Sequence, residues 1–134
     1  MTVLCDLDGV IYRGAMVLPG VPDALQRLFA AKAAVYFITN NSTRTPQATA
    51  EKITRLTGAP VEASRVFTSS MAAATLLEES DGPVLIVGED GVREAVSDAG
   101  LAITNDPALA RAVVVGLTRS FSYETIAGAM DAIR

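Results

Sequence analysis

Short β-prone apolar runs alternate with helical stretches along the whole chain, and that alternation leaves few folds open. Val3–Leu7, Ala34–Thr39 (AVYFIT), Val66–Thr68, Pro83–Val87, Leu101–Thr104 and Ala112–Gly116 each read as a strand, the first two as buried strands. Between them lie stretches with helix signals. Pro22–Ala31 puts Leu25, Leu28 and Phe29 on one face behind an opening Pro and Asp. Thr45 then Pro46 is a cap followed by a first-turn proline, and Gly58 is a stop. Ser69–Glu79 and Gly91–Ala99 are also predicted helical, the second closed by Gly100. Phe121 and Ile126 flank Ser122 at staple spacing, which predicts a helix over Tyr123–Ile133. Tyr12–Gly20 is rich in turn formers and reads as loop or hairpin. Strand–helix alternation predicts an α/β fold, a mostly parallel sheet with helices on its faces. The turn Asp81-Gly82-Pro83 is the best boundary between two lobes, 1–80 and 81–134.

Composition removes several function classes. The chain has 134 residues, half of them apolar, and no histidine, which excludes Ser-His-Asp hydrolases, Cys-His proteases and the commonest zinc sites. One cysteine, Cys5, cannot form an internal disulfide and reads as a packed strand residue. A net charge of −4 gives no basic patch for nucleic acid. The start, MTVLCDLDGV, has acids and no basic stretch, unlike a signal peptide, and no apolar run approaches the roughly 20 residues of a membrane span. The expectation is a soluble, cytoplasmic protein without membrane or nucleic-acid partners.

Chemistry is concentrated at two predicted strand ends. Ligands in parallel α/β sheets bind beyond the carboxyl ends of the strands. Asp6-Leu7-Asp8-Gly9 lies where the first strand runs out, and residues i and i+2 of a strand share a face. Two carboxylates so placed repel unless a proton or cation lies between them, and a hard ion such as Mg²⁺ suits such a pair. Solvated acids in an ordinary turn are the other reading of these four residues. Thr39-Asn40-Asn41-Ser42-Thr43 ends the second strand, which adjacent parallel pairing would place beside Asp6. Its hydroxyls and amides suit a phosphate cradle, but in isolation a helix-capping loop is the commoner reading. No G-x-G-x-x-G follows the first strand, which argues against a dinucleotide-binding module.

DLDGVIYRG followed by TNNSTRT closely resembles the haloacid dehalogenase superfamily, and within it the capped subclass IIA of p-nitrophenyl-phosphatases, ribonucleotide and sugar-phosphate monophosphatases, and phosphoglycolate and pyridoxal phosphatases. VFTSSMAAATLLEE, VLIVGEDGVREAVSDAG and VVVGLTRSFSYE follow in that subclass's order, so the resemblance spans essentially the whole chain. It implies the N-terminal half of a Rossmann-like core followed by part of an α/β cap. It implies Mg²⁺-dependent hydrolysis of a small phosphorylated metabolite, with Asp6 as nucleophile through an aspartyl-phosphate and Asp8 as general acid and base. Mg²⁺ would bind the Asp6 carboxylate and the Asp8 backbone carbonyl. Thr39, Asn40 and Asn41 would hold the phosphoryl group, and Gly9–Gly14 would form a mobile segment.

The resemblance also calls for a lysine beyond the cap and a further acidic motif on a later strand. Lys32 and Lys52, the chain's two lysines, occupy neither place and read as solvated helix surface. Asp98, Asp106 and Asp131 are not in the context of the missing acids, and Thr118-Arg119 stands where relatives often have Asp-Arg. Asp90 reads as a helix N-cap, and Tyr12, Tyr36, Phe37 and Phe121 as packing residues. With the late core strands absent, the first strand should carry an exposed apolar edge. An inactive or split segment serving binding or assembly therefore stays open beside the phosphatase, as do a homo-oligomer and a complementing second chain.

Overall fold

The computed structural model describes residues 1–134. Eight strands, β1 (Thr2–Asp6), β2 (Tyr12–Arg13), β3 (Met16–Val17), β4 (Ala34–Thr39), β5 (Val66–Thr68), β6 (Val84–Val87), β7 (Ile103–Thr104) and β8 (Ala112–Val115), are interleaved with five α-helices. These are α1 (Val21–Ala30), α2 (Pro46–Thr57), α3 (Ser69–Ala74), α4 (Asp90–Asp98) and α5 (Tyr123–Ile133). They form two units, one of Met1–Asn40 with Pro46–Thr68, the other of Asn41–Thr45 with Ser69–Arg134. The Asp81–Pro83 turn lies inside the second. No helix is long and apolar enough to cross a membrane.

In the first unit, β1, β4 and β5 form a parallel sheet in the order β1-β4-β5, with Cys5 opposite Phe37 and Phe37 opposite Val66. Those inward residues meet a core of Leu7, Ile11, Leu25, Val35, Phe37, Ile53 and Val66. Helix α1 starts on Pro22 and buries Leu25, while α2 starts on Pro46 and buries Ala50 and Ile53. Gly58 ends α2 in a left-handed conformation, φ 73°, with its amide donating to the Thr54 carbonyl. The Thr57 hydroxyl seals the same end by donating to the Ile53 carbonyl at 2.8 Å.

The strand run AVYFIT is buried on one face only, which corrects the sequence expectation. Leu4 is 67% exposed, Ile38 41% and Phe67 45%. In register with Tyr36, these side chains form an apolar face with no helix over it, and β1 has no neighbour beyond it. The Tyr36 and Phe67 rings meet edge to face at 6.0 Å, and the Arg65 guanidinium sits 5.1 Å from the Tyr36 ring. That arrangement covers part of the face without burying it. β1 is thus an edge strand, and Leu4 on it is exposed.

The second unit has helices on both faces of its parallel sheet, ordered β7-β6-β8. Alternate residues of β6 divide between them. Val84 and Ile86 join Val92 and Val96 of α4, while Leu85 and Val87 join Ala129 of α5. Asn41–Thr45 packs on the start of α4, where the Gly91 amide donates to the Thr43 carbonyl at 3.2 Å. A Cβ at Gly91 would overlap the carbonyl oxygens of Arg44 and Ser42, so only glycine fits there.

Three local expectations are corrected. The helix predicted over Ser69–Glu79 ends at Ala74. The Thr75 hydroxyl turns back to the Ala72 carbonyl at 2.7 Å, and the next amides bond three residues back. Glu78 and Asp81 then cap a single 3-10 turn reciprocally. Asp90 is the first helical residue of α4, and Glu89 holds the cap position. Phe121 is 65% exposed rather than packed, while Ser122 does cap α5 by accepting the Thr125 amide.

Two measurements test this account. Gly91→Ala is expected to destabilise the chain by about 1–3 kcal/mol or more, read as a lower urea midpoint, because backbone oxygens must move. In sedimentation velocity the wild-type chain should self-associate as concentration rises, and Leu4→Lys with Phe67→Lys should abolish this. A wild-type chain that is monomeric throughout would refute the exposed-face account.

Candidate active site

Asp6 is the last residue of β1, opposite Ile38 of β4, and its side chain is exposed on the uncovered side of the sheet. Strand periodicity fixes that direction. Cys5 and Leu7, its neighbours, turn to the core, and Leu7 is fully buried.

Beyond Asp6 the backbone leaves the strand and winds around one carbonyl. The Leu7 oxygen accepts the amides of Val10 (3.2 Å), Ile11 (2.9 Å) and Tyr12 (3.2 Å). Gly9, at φ 87°, donates its amide to the Tyr12 carbonyl at 2.8 Å. A positive φ is the reason that glycine stands after Asp8. Asp8 is exposed within this turn and bridges to Tyr12. The reading of Asp6 and Asp8 as two residues of one strand face is thereby corrected. β1 stops at Asp6, and the turn rather than the strand places Asp8.

Parallel pairing sets the end of β4 beside the end of β1, as expected. Thr39 follows Ile38, is buried, and pairs with the buried Thr68 at the end of β5. Asn40 follows, exposed. Thr68 escaped the sequence reading, although a hydroxyl closing a strand was the same signal that drew attention to Thr39. Asn41 belongs to the second unit, and its Oδ1 accepts both the Thr43 amide (2.9 Å) and the Thr43 hydroxyl (2.7 Å). One end of that side chain is thus committed to the turn.

Within the second unit, two side chains hold the segment after β8. The buried Ser42 hydroxyl accepts the Leu117 amide at 2.9 Å, and Glu89 Oε1 accepts the Arg119 amide at 3.0 Å. Neither contact had a signal in sequence spacing.

The electrostatics of β1 are one-sided. Burial, and secondarily the Asp6 charge, push the Cys5 thiol above its ordinary value. For a metal, the chain offers hard oxygens at Asp6 and Asp8, and no group of three His, Cys, Asp or Glu residues gathers anywhere. That donor chemistry fits Mg²⁺, which binds through one or two carboxylates and keeps several waters.

Residues 3–102 match the family of haloacid dehalogenase-like hydrolases. The chain belongs to that family. It is 35% identical over 142 residues to chronophin from Mus musculus, covering 98% of this chain and 49% of chronophin. It is 36% identical over 133 residues to the 5'-nucleotidase YutF from Bacillus subtilis, covering 98% of this chain and 51% of that one. Among solved structures, glycerol phosphate phosphatase from Mycobacterium tuberculosis in complex with magnesium superposes with a TM-score of 0.86 at 30% identity, covering 98% of this chain and 40% of the other. The chain thus spans about half the length of the curated relatives it matches.

The Asp6 charge gives a direct test of its placement. Because the thiolate is the reactive form, Cys5 should alkylate with iodoacetamide at pH 8.5 more slowly than free cysteine. Asp6→Asn should speed that reaction, since removing the anion lowers the Cys5 pKa. An unchanged rate would mean that the two groups do not sense each other.

Proposed function

We propose that this chain carries the nucleophilic half of a phosphomonoester hydrolase that acts on a small phosphorylated metabolite. The observation that supports this best is the parallel pairing of β1 with β4, which sets the DLDG strand end beside Thr39. The named relatives, a 5'-nucleotidase and a glycerol phosphate phosphatase among them, support the substrate class.

In this reading Asp6 attacks phosphorus and becomes an aspartyl-phosphate, and the P–O bond to the leaving group breaks. Asp8 gives a proton to the departing oxygen and then takes one from the water that hydrolyses the acyl-phosphate. Thr39, Asn40 and Asn41 supply the hydroxyl, amide and backbone donors that hold the phosphoryl oxygens. Mg²⁺, bound to the Asp6 carboxylate and the Asp8 backbone carbonyl, would offset the repulsion between nucleophile and phosphate. Residues 1–80 would then be the core half and 81–134 part of the cap, which would shield the site and select the substrate.

The lysine and further acids that the resemblance calls for have no counterpart at the expected places among these residues. The uncovered face of Leu4, Ile38 and Phe67 favours a second reading, a segment that serves assembly until a complementing polypeptide joins it. Co-purification of such a polypeptide would support that second reading.

The decisive experiment is hydrolysis of p-nitrophenyl phosphate with and without Mg²⁺, beside Asp6→Asn. The expected outcome is metal-dependent turnover that drops at least about a thousandfold in the variant, with a phosphoryl adduct trapped on Asp6 of the wild type. Turnover that survives Asp6→Asn would end the nucleophile assignment. No turnover in the wild type would leave the family assignment standing and mark these residues as an incomplete catalytic unit.

A further inference from the structure

Lys52 is not the solvated helix lysine that its sequence context suggests. It sits on α2 beside the buried Ile53 and is itself half-buried. Its Nζ lies 3.4 Å from the centroid of the Tyr12 ring. Tyr12 is only 4% exposed, so this cation meets an aromatic face largely removed from water, where the attraction is strongest.

Tyr12 is also the residue that closes the turn after the candidate nucleophile. Its amide donates to the Leu7 carbonyl, its carbonyl accepts the Gly9 amide, and its backbone bridges to Asp8. On the other side it pairs with Val17 in the β2–β3 hairpin. Helix α2 packs on β3 of the same hairpin. Ring, turn and hairpin therefore form one body, with α2 as its support. The Tyr12 backbone is hydrogen-bonded to the peptide units on either side of Asp8.

We infer that Lys52 is a positioning residue, whose ammonium clamps the Tyr12 ring and thereby holds the Leu7–Tyr12 turn that presents Asp8. In this role it acts through Tyr12 and not on the substrate. A cation and not merely a long side chain is required, because an apolar stem over the ring lacks the attraction of charge to the aromatic quadrupole. The catalytic part of this inference rests on the reading of Asp8 as the acid and base. The structural part does not.

The test uses the whole chain as wild type, Lys52→Met and Lys52→Arg. In amide hydrogen exchange, Lys52→Met should speed exchange at Gly9, Val10, Ile11 and Tyr12 by about tenfold or more, leave β4 amides unchanged, and be reversed by Lys52→Arg. This readout needs no turnover. Unchanged exchange at those four amides overturns the inference, and so does a rise spread evenly over the unit, which marks a purely packing role.

Leaving-group dependence supplies the second readout. p-Nitrophenolate departs without a proton, whereas an alkoxide does not, so a misplaced Asp8 slows an alkyl phosphate more than p-nitrophenyl phosphate. Lys52→Met should show that selective loss in kcat, in the same direction as Asp8→Asn. Equal losses on both substrates in Lys52→Met, with selectivity intact in Asp8→Asn, overturn the catalytic role of Lys52. Absence of selectivity in Asp8→Asn itself ends the acid–base reading of Asp8, and the exchange data then decide the clamp alone.

Discussion

The parallel register of β1 against β4 is the constraint on which the first unit rests. Val3 and Cys5 must meet Val35 and Phe37 on the side where α1 and α2 supply the core. Because side chains alternate, that choice turns Asp6 outward at the last paired position and drops Leu7 into the interior as the strand ends. A slip of one residue would bury the carboxylate and expose the cysteine. Hydrophobic packing therefore aims the acid, and no polar contact is needed to do so. The buried Leu7 then offers its carbonyl as the hub around which the following turn is wound.

The two units solve the same problem differently. In the second, α4 and α5 take opposite faces of the sheet, and both sets of β6 residues find partners. In the first, both helices serve one core, and the other face keeps Leu4, Ile38 and Phe67 in water. Exposed apolar surface next to an open strand edge is a combination that folded proteins ordinarily cover. The first unit is accordingly the half of the chain whose behaviour depends most on what surrounds it.

Much of this was legible from residue patterns. AVYFIT and VFT appeared as strands at their observed bounds, and Ser122 opened α5 where a cap signal and apolar spacing agreed. The strand ends that carry Asp6 and Thr39 were found because acids, hydroxyls and amides interrupt apolar runs there. What escaped was of two kinds. Asp90 is the stronger capping residue by type, yet Glu89 holds that position and makes no side-chain cap bond. Partners distant in sequence leave no local trace. Lys52 over Tyr12 and Ser42 under Leu117 arise only when the sheets bring separate elements together. Burial on one face of β4 was likewise invisible, since an apolar run does not announce whether a second layer covers it.

Ser42 has a consequence for how the chain can be divided. The second unit is not a contiguous stretch, for the five residues Asn41–Thr45 are threaded into it from within the first. Gly91 is small because the carbonyls of Ser42 and Arg44 press on it, and Gly116 is small because Val92 and the Ser42 side chain fill the space a methyl would need. A polypeptide started at Ser69 would keep both glycines and lose what they were hollowed out to receive. Excision at the apparent boundary would thus remove a piece of the second unit's interior.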